Sequence, residues 1–410
     1  MSRALLVAGA GAAAELIGAL ALGFLGWGRA ETLLFFAVRP WVLVGAALAV
    51  ARLQWPERVH AYVALLAIAA VSETLLIAYL GSGDPWAEAG RGLAGGALIA
   101  LAADLIVQLG CRLGKAARWA AGAMAAGLLL VPGVLRPYES IVLGPASAPA
   151  AIRPRVALMS GLPLVWGEGG AFDPASRPAA AYRTLTREFD FVPVDTIEPI
   201  TLARAPVLFL AQPQRLAPSE LAALDAWIRG GGRALILTDP DLRWPSDLPL
   251  GDIRRPPPFT LLTPLLDHWG LSLEVSRAQG PHPGWWNERR LVLERYGRFR
   301  STGACTVFFG AAMARCRLGR GEAFLIADAD LMRDDLWAPA GSEAHQRTSD
   351  NPLFIAERID ALLGLRRERT ERAVAWARPG RTPVQGLALA LLVPIAAISA
   401  GLLLRRRAKA

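Results

Sequence analysis

The sequence has few of the residues that catalytic and metal-binding sites use most. Three cysteines and four histidines occur among 410 residues, which is too few for a disulfide scaffold, and none has zinc-ligand spacing. A cysteine nucleophile at a strand-to-helix elbow, a GxSxG elbow and a GxxxxGK[ST] phosphate loop are also missing. We therefore predict that the chain is neither the ATPase of any system nor an enzyme of a recognised class, and that it binds no metal or cofactor.

Charged residues are also scarce and unevenly distributed. They make up 19% of the chain, against 53% hydrophobic residues, whereas soluble proteins carry about 25%. Apolar runs fill the first third and the last residues, and charge concentrates between them. The net charge of +9 comes largely from arginines beside these runs, so we predict the lipid bilayer as a partner and no nucleic acid.

Apolar segments of the length that crosses a bilayer, about 20 residues, recur along the chain. They predict about six transmembrane helices, five before the charged region and one after it. We expect a transmembrane region over 1–137, a water-facing domain over 150–366 and a last transmembrane helix over 383–404. The predicted spans cover residues 4–25, 32–50, 62–80, 93–109, 119–135 and 384–404.

The positions of basic residues predict the orientation of these helices. Basic loops follow the second and fourth spans, and the tail after the last span is also basic. All fall on one side of the membrane if six helices cross it, and the opposite loop holds Asp84 and Glu88. Because such loops stay in the cytoplasm, we predict a bacterial inner-membrane protein with both termini cytoplasmic and the large domain periplasmic.

Four ionisable residues fall inside the predicted spans: Glu15, Arg39, Glu73 and Asp104. Unpaired charge in a bilayer is costly, so such residues face the bundle interior and pair with one another. They can form a polar pathway or coupling site, or they can be internal pairs that fix helix packing. The second interpretation is the simpler one.

The middle of the chain alternates short apolar strands with amphipathic helices. Helices are predicted over 179–188, 219–229, 260–269 and 351–363, and most of 243–283 is predicted to form loops. This alternation is typical of an α/β domain with a mostly parallel sheet in a flavodoxin-like or Rossmann-like arrangement. The predicted strands are RVALMS, DFVPV, APVLFLAQP, ALILTDPD, RLVLE, ACTVFF, MARCRL and GEAFLIADAD.

The segment LFLAQPQRLAPSELAALDAWIRGGGRALILTDPDL resembles the auxiliary domain of the gliding-motility type of ABC transport system. That family has a strand, a Pro-x-x-Leu turn, a helix ending in Trp-x-x-x-Gly-Gly and a strand ending in Asp-Pro. Asp350 and Asn351 match the start of the same family's closing helix. The residues that match the first motif are Pro213, Leu216, Leu224, Trp227, Gly231, Gly232, Asp239 and Pro240.

This resemblance implies a glutamine-amidotransferase-like domain that works beside a separate ABC ATPase and permease subunits. Five leading helices depart from that family's single N-terminal anchor. The first hypothesis is therefore an accessory or permease-like membrane component whose non-catalytic domain binds a partner or substrate. The alternatives are a membrane-anchored ligand-binding sensor or envelope enzyme, and a stand-alone transporter that uses the four intramembrane residues.

Candidate ligand or partner residues lie where predicted strands end. Trp166 and Glu168 belong to the glycine-rich loop GLPLVWGEGGAFDP, and Asp239 and Asp241 follow a strand. Asp328 and Asp330 follow another strand, and ligands of open α/β sheets gather at such ends. The aspartates can bind a cation through their oxygens or cap the following turns.

Cys305 and Cys316 lie on neighbouring predicted strands joined by a turn. Outside the cytoplasm they can form a disulfide, whereas inside it they stay reduced. The state of this pair therefore tests the predicted orientation.

Overall fold

The computed structural model describes residues 2–27, 32–81, 85–142, 152–170, 172–174, 176–203, 205–249, 251–276, 280–287, 289–337, 348–367 and 377–408. The chain divides into two compact units, Met1–Ser147 with Thr370–Ala410, and Ala148–Arg369. Asp84, on which part of the predicted orientation depends, lies outside the described residues.

Thirteen α-helices occur in the described ranges, and a short 3-10 helix covers Asp330–Met332. Helices α1–α6 and α13 belong to the first unit, and α7–α12 belong to the second. The helices are α1 Ser2–Trp27, α2 Thr32–Val50, α3 Trp55–Leu80, α4 Pro85–Leu113, α5 Lys115–Leu128, α6 Arg136–Val142, α7 Ala180–Leu185, α8 Pro199–Leu202, α9 Pro218–Arg229, α10 Thr263–His268, α11 Asp334–Trp337, α12 Asn351–Leu363 and α13 Pro383–Arg407.

Four of the described helices are long and apolar enough to cross a membrane: α1, α3, α4 and α13. Helix α2 adds a shorter apolar stretch, Leu34–Val50. These helices support membrane insertion, as their composition predicted.

The fifth predicted span, over 119–135, differs from the structure. Helix α5 has 14 residues, about 21 Å at 1.5 Å per residue, against a hydrocarbon core of about 30 Å. The chain then turns at Pro132 and at Gly133, whose φ is 87°. Proline supplies no N–H to continue a helix and glycine takes the left-handed conformation without cost, so the apolar run breaks there.

Small residues bring the first and last helices into close contact. A Cβ added to Gly9 would lie 2.7 Å from Ile398 Cγ1 and 2.8 Å from the carbonyl oxygen of Pro394. At the other end of the contact, a Cβ on Gly401 would lie 2.9 Å from Leu6 Cγ. The small-residue segment near the N-terminus therefore acts as a packing surface between α1 and α13.

The second unit contains a seven-stranded sheet with the order β2-β1-β3-β4-β11-β10-β9. Strands β1, β2, β3, β4 and β11 are parallel, and β10 pairs antiparallel with both β11 and the edge strand β9. The prediction of a mostly parallel sheet is confirmed. The strands are β1 Arg155–Ser160, β2 Asp190–Pro193, β3 Val207–Ala211, β4 Arg233–Leu237, β5 Leu271–Glu274, β6 Pro281–Trp286, β7 Arg289–Glu294, β8 Arg298–Ser301, β9 Cys305–Phe308, β10 Met313–Leu318 and β11 Gly321–Ile326.

Two small antiparallel pairs, β5 with β8 and β6 with β7, lie outside the main sheet. The sequence predicted β7 but not the other three strands. Strand β6 contains Pro281 and Pro283, which cannot donate to a ladder, and it is tolerated because it pairs on one side alone.

Both faces of the main sheet are buried. Alternate residues of β1 and β3 point to opposite cores, with Leu158 and Phe209 on one face and Met159 and Leu210 on the other. Helices α7 and α12 contribute to the first core, and α9 and α10 contribute to the second. This double burial explains why the parallel strands are continuously hydrophobic rather than alternating.

Candidate functional site

The carboxyl ends of the parallel strands meet at one edge of the sheet and carry most of the candidate residues. Asp239 follows β4, and Asp328 and Asp330 follow β11, which pairs directly with β4. These three side chains are fully buried, and ligand oxygens from all three lie within 4.8 Å of one another. The structure thus brings together three of the residues predicted at strand ends.

Backbone N–H groups occupy most oxygens of this aspartate trio, formed by Asp239, Asp328 and Asp330. Asp239 accepts N–H bonds from Asp241 at 2.8 Å and from Ala329 at 3.0 Å. Asp328 accepts N–H bonds from Glu294 at 2.7 Å and from Leu331 at 3.1 Å. These contacts fasten the loops after β4 and β11 to the end of β7, so they favour the capping interpretation over cation binding.

Asp330 completes the trio and differs from the other two residues. Its Oδ2 accepts the N–H of Arg243 at 2.6 Å, whereas its Oδ1 is buried and has no hydrogen-bond donor among the described residues. A proton on one of the neighbouring carboxyl groups would supply such a donor. This geometry indicates that at least one carboxyl group of the aspartate trio is protonated.

The electrostatics of the trio agree with this geometry. Burial raises the pKa of Asp330 to about 7 and that of Asp239 to about 6, and the negative charges of neighbouring aspartates add to both effects. Burial and the same neighbours also raise the pKa of Asp328 well above its usual range. The trio consequently holds protons near neutral pH instead of carrying three negative charges.

Gln212 is a residue of this edge that the sequence analysis missed. It follows β3 with a φ of 42° and is 1% exposed. Its Nε2 donates to the carbonyl oxygens of Asp239 and Pro257, each at 3.1 Å, and its Oε1 accepts the Asp239 N–H at 2.7 Å. An amide placed directly after the buried run VLFLA is the signal that could have identified it.

The predicted loop residues Trp166 and Glu168 lie at the same edge but outside the trio. Trp166 is 55% exposed. One oxygen of Glu168 accepts the Asp247 N–H at 3.3 Å, and the other is buried without a partner in the described ranges. The side chain of Asp241 is also outside the trio, in an ion pair of 2.8 Å with Arg243, although its N–H binds Asp239.

Large apolar side chains are exposed on the loops of this edge. Phe172, in the loop after β1, is fully exposed, and Ile253 and Phe259, in the loop after β4, are 84% and 55% exposed. Together with Trp166 they form what we term the apolar edge. Exposed aromatic residues on fixed loops are typical of a surface that contacts another molecule.

The intramembrane residues form two groups in the helical unit. Arg39 forms ion pairs with both Glu15 and Glu73. Asp104 lies apart from them, where it binds Arg58 Nε and the hydroxyl of Tyr62, each at 3.0 Å. Three of the four predicted residues therefore share one site.

Cys305 and Cys316 face each other across β9 and β10, as directly opposed residues of the ladder. Their sulfur atoms are bonded at 1.95 Å, and both side chains are buried. Neither cysteine lies at a strand-to-helix elbow, where a nucleophile would be placed.

Comparison with protein families gives a match over residues 153–279, to a family described as an ABC-type uncharacterized transport system. The matched region contains β1–β4, Gln212 and Asp239, and it ends before β11. This match supports an accessory role in transport. No curated protein matches the sequence.

Solved structures similar to this chain include the mmIFT52 N-terminal domain, at 11% identity and a TM-score of 0.35, covering 52% of this chain and 100% of that one. A mannosidase from Opitutaceae bacterium strain TAV5 has 13% identity and a TM-score of 0.29, covering 53% of this chain and 35% of its own. A β-galactosidase from Halorubrum lacusprofundi has 13% identity and a TM-score of 0.29, covering 62% and 35%. The chain thus spans about a third of each glycosidase. Similarities with TM-scores this low do not indicate a shared function.

Proposed function

We propose that this chain is an integral membrane accessory component of an ABC-type transport system, with permease-like helices and an α/β unit that binds a partner subunit or the substrate. One observation carries the proposal. A single chain joins four helices of membrane-crossing length to a unit that matches an ABC-type transport family. The separate ATPase and permease subunits of such a system are the proposed partners.

The apolar edge is the proposed binding surface of the α/β unit. Trp166 and Phe172 are exposed on the loop after β1. Gln212 and Asp330 hold the loop after β4 through Pro257 and Arg243, and Glu168 links the loop after β1 to it by accepting the Asp247 N–H. Rigid loops lose little entropy on binding, so apolar residues on them contribute efficiently to affinity. The proposed role is non-catalytic, since five of the six carboxyl oxygens of the aspartate trio accept backbone N–H bonds and the two cysteines are bonded to each other.

The order of the five parallel strands, 2-1-3-4-5 when β11 is counted as the fifth, supports a flavodoxin-like arrangement. In such a sheet, ligands bind where the strand order reverses, here between β1 and β3. The loops after these strands carry Trp166 and Gln212. The strand order and the exposed side chains therefore select the same edge.

The proposed orientation places the α/β unit outside the cytoplasm of a bacterial inner membrane and both termini inside it. The basic end of α13, with Arg405, Arg406 and Arg407 in its last turn, supports this orientation. A disulfide between Cys305 and Cys316 is also stable in that compartment and not in the cytoplasm.

Co-purification tests the proposal. The full-length chain, purified from native membranes in mild detergent after crosslinking, should recover an ABC ATPase subunit. Replacing Trp166 and Phe172 by alanine should lower the recovery several-fold if the apolar edge binds a subunit of the complex. Ile200→Ala removes a side chain of similar exposure, 67%, from α8 and serves as the matched control. Wild-type protein that never recovers an ATPase would contradict the proposal.

A further inference from the structure

The helical unit encloses three charged side chains that come from three different helices. Glu15 of α1, Arg39 of α2 and Glu73 of α3 are 0%, 1% and 3% exposed. Arg39 Nε lies 2.8 Å from Glu15 Oε1, and Arg39 Nη2 also pairs with both carboxylates. We refer to these residues as the ionic trio.

The surroundings of Arg39 form a fitted cradle. Gly92 and Gly96 of α4 lie against it, so that a Cβ on Gly92 would overlap its Nη1 and a Cβ on Gly96 would lie 3.2 Å from its Cδ. The Phe36 ring lies 5.5 Å from the guanidinium carbon. The guanidinium is thus held between the two carboxylates, and a larger residue at either glycine would displace it.

The charges of the ionic trio do not balance when both carboxyl groups are ionised. Two carboxylates against one guanidinium leave one net negative charge in a fully buried site. Tyr138, an uncharged phenol, is the further titratable group of the described residues that acts on the trio. By contrast, Arg58 and Asp104 balance each other as a separate pair.

One fully buried oxygen atom at this site also lacks a partner. Glu15 Oε2 has no hydrogen-bond donor among the described residues. The carboxyl groups of Glu15 and Glu73 both pair with Nη2 of Arg39, which places them beside each other. Two carboxylates in contact repel each other, whereas a carboxyl group and a carboxylate share a hydrogen bond.

We propose that the ionic trio is a proton-binding site, in which one exchangeable proton is shared between the carboxyl groups of Glu15 and Glu73 at neutral pH. The proton makes the site electrically neutral, and neutrality avoids the cost of burying a net charge among apolar helices. It also supplies the hydrogen that Glu15 Oε2 lacks. On release, the O–H bond breaks, the proton passes to water and the site retains both carboxylates.

Binding of the proton is therefore linked to the packing of α1, α2 and α3, since each of these helices contributes one member of the ionic trio. Loss of the proton places like charges in contact between α1 and α3 and weakens that contact. This inference rests on the helical unit alone, so it stands or falls separately from the proposed role in transport.

Infrared spectroscopy of the full-length chain in lipid nanodiscs detects the proton directly. At neutral pH the wild-type protein should show the carbonyl stretch of buried carboxylic acids. A component of that band separate from the contribution of the aspartate trio should be lost in Glu15→Gln and in Glu73→Gln. Asp104→Asn, which changes a carboxylate already balanced by Arg58, should keep it. A wild-type spectrum without that band, or a band unaffected by both glutamine variants, would overturn the proposal.

Thermal unfolding of the same variants gives a second, independent readout. Each single glutamine variant mimics the protonated ionic trio, so the Tm of its helical unit, followed by proteolysis within that unit, should change little with pH. The Tm of the wild-type helical unit should fall as the proton is released at higher pH. The double variant leaves Arg39 unpaired and should have the lowest Tm. Single variants as unstable as the double variant, or a wild-type Tm that depends on Na⁺ rather than on pH, would refute the proton assignment.

Discussion

Replacing Asp330 by asparagine tests whether the aspartate trio holds protons near neutral pH. Burial raises the pKa of Asp330 from 3.8 to about 7. A group whose pKa is raised by folding stabilises the fold at low pH, and this stabilisation is lost as the pH rises through the folded-state value. With about 1.4 kcal/mol per pKa unit, ionisation of Asp330 should lower the free energy of unfolding by about 2.5 kcal/mol between pH 5 and pH 8.

Asparagine has the shape of the protonated side chain and keeps an acceptor for the Arg243 N–H, but it cannot ionise. Asp330→Asn should therefore match the wild-type stability near pH 5 and exceed it by about 2.5 kcal/mol near pH 8. A smaller pH dependence should remain, because burial raises the pKa of Asp239 to about 6. Asp335→Asn removes a carboxylate that is 60% exposed, and this control should keep the wild-type pH dependence.

Urea unfolding of the full-length protein in nanodiscs, followed by pulse proteolysis within the α/β unit, measures these differences. The reasoning would be refuted if the free energies of unfolding of the wild type and Asp330→Asn differed by the same amount at every pH. Ionisation of Asp330 would then not destabilise the fold. A variant less stable than wild type near pH 8 would do the same. In that case the negative charge of Asp330 would itself stabilise the fold, for example by binding a cation.

Three further predictions concern the same unit. Gln212→Ala removes three buried hydrogen bonds and should lower the free energy of unfolding by about 2 to 3 kcal/mol, measured as a shift of the urea midpoint. Gly232→Ala should destabilise by about 1 to 3 kcal/mol, because its Cβ would overlap the Trp227 ring; an unchanged midpoint would contradict the close packing. Non-reducing peptide mapping of native membranes should find Cys305 bonded to Cys316, and two free thiols would contradict the extracytoplasmic location.

The elements that carry local signals could be predicted from the sequence. Helix α12 begins at Asn351 and ends at Leu363, as expected, because Pro352 favours its first turn and Gly364 stops it with a φ of 74°. The parallel strands were also identified, since burial on both faces makes them continuously apolar.

The features that the sequence did not reveal depend on contacts between distant segments. Asp239 and Asp328 meet because β4 pairs with β11, and no local pattern encodes that pairing. The role of Gln212 likewise depends on the loop that contains Pro257. Hydropathy located an apolar run over 119–135, but the turn at Gly133 divides it, and window-averaged hydropathy does not register a turn.

Site-specific photo-crosslinking at residue 166 tests the central claim most directly, since it asks what touches the apolar edge in the membrane. With a photoreactive residue in place of Trp166, the full-length chain should crosslink to another subunit of an ABC-type transporter or to its substrate, and a probe in place of Ile200 should not. Crosslinking of both probes to the same abundant, unrelated proteins, with no transport component recovered at residue 166, would contradict the account.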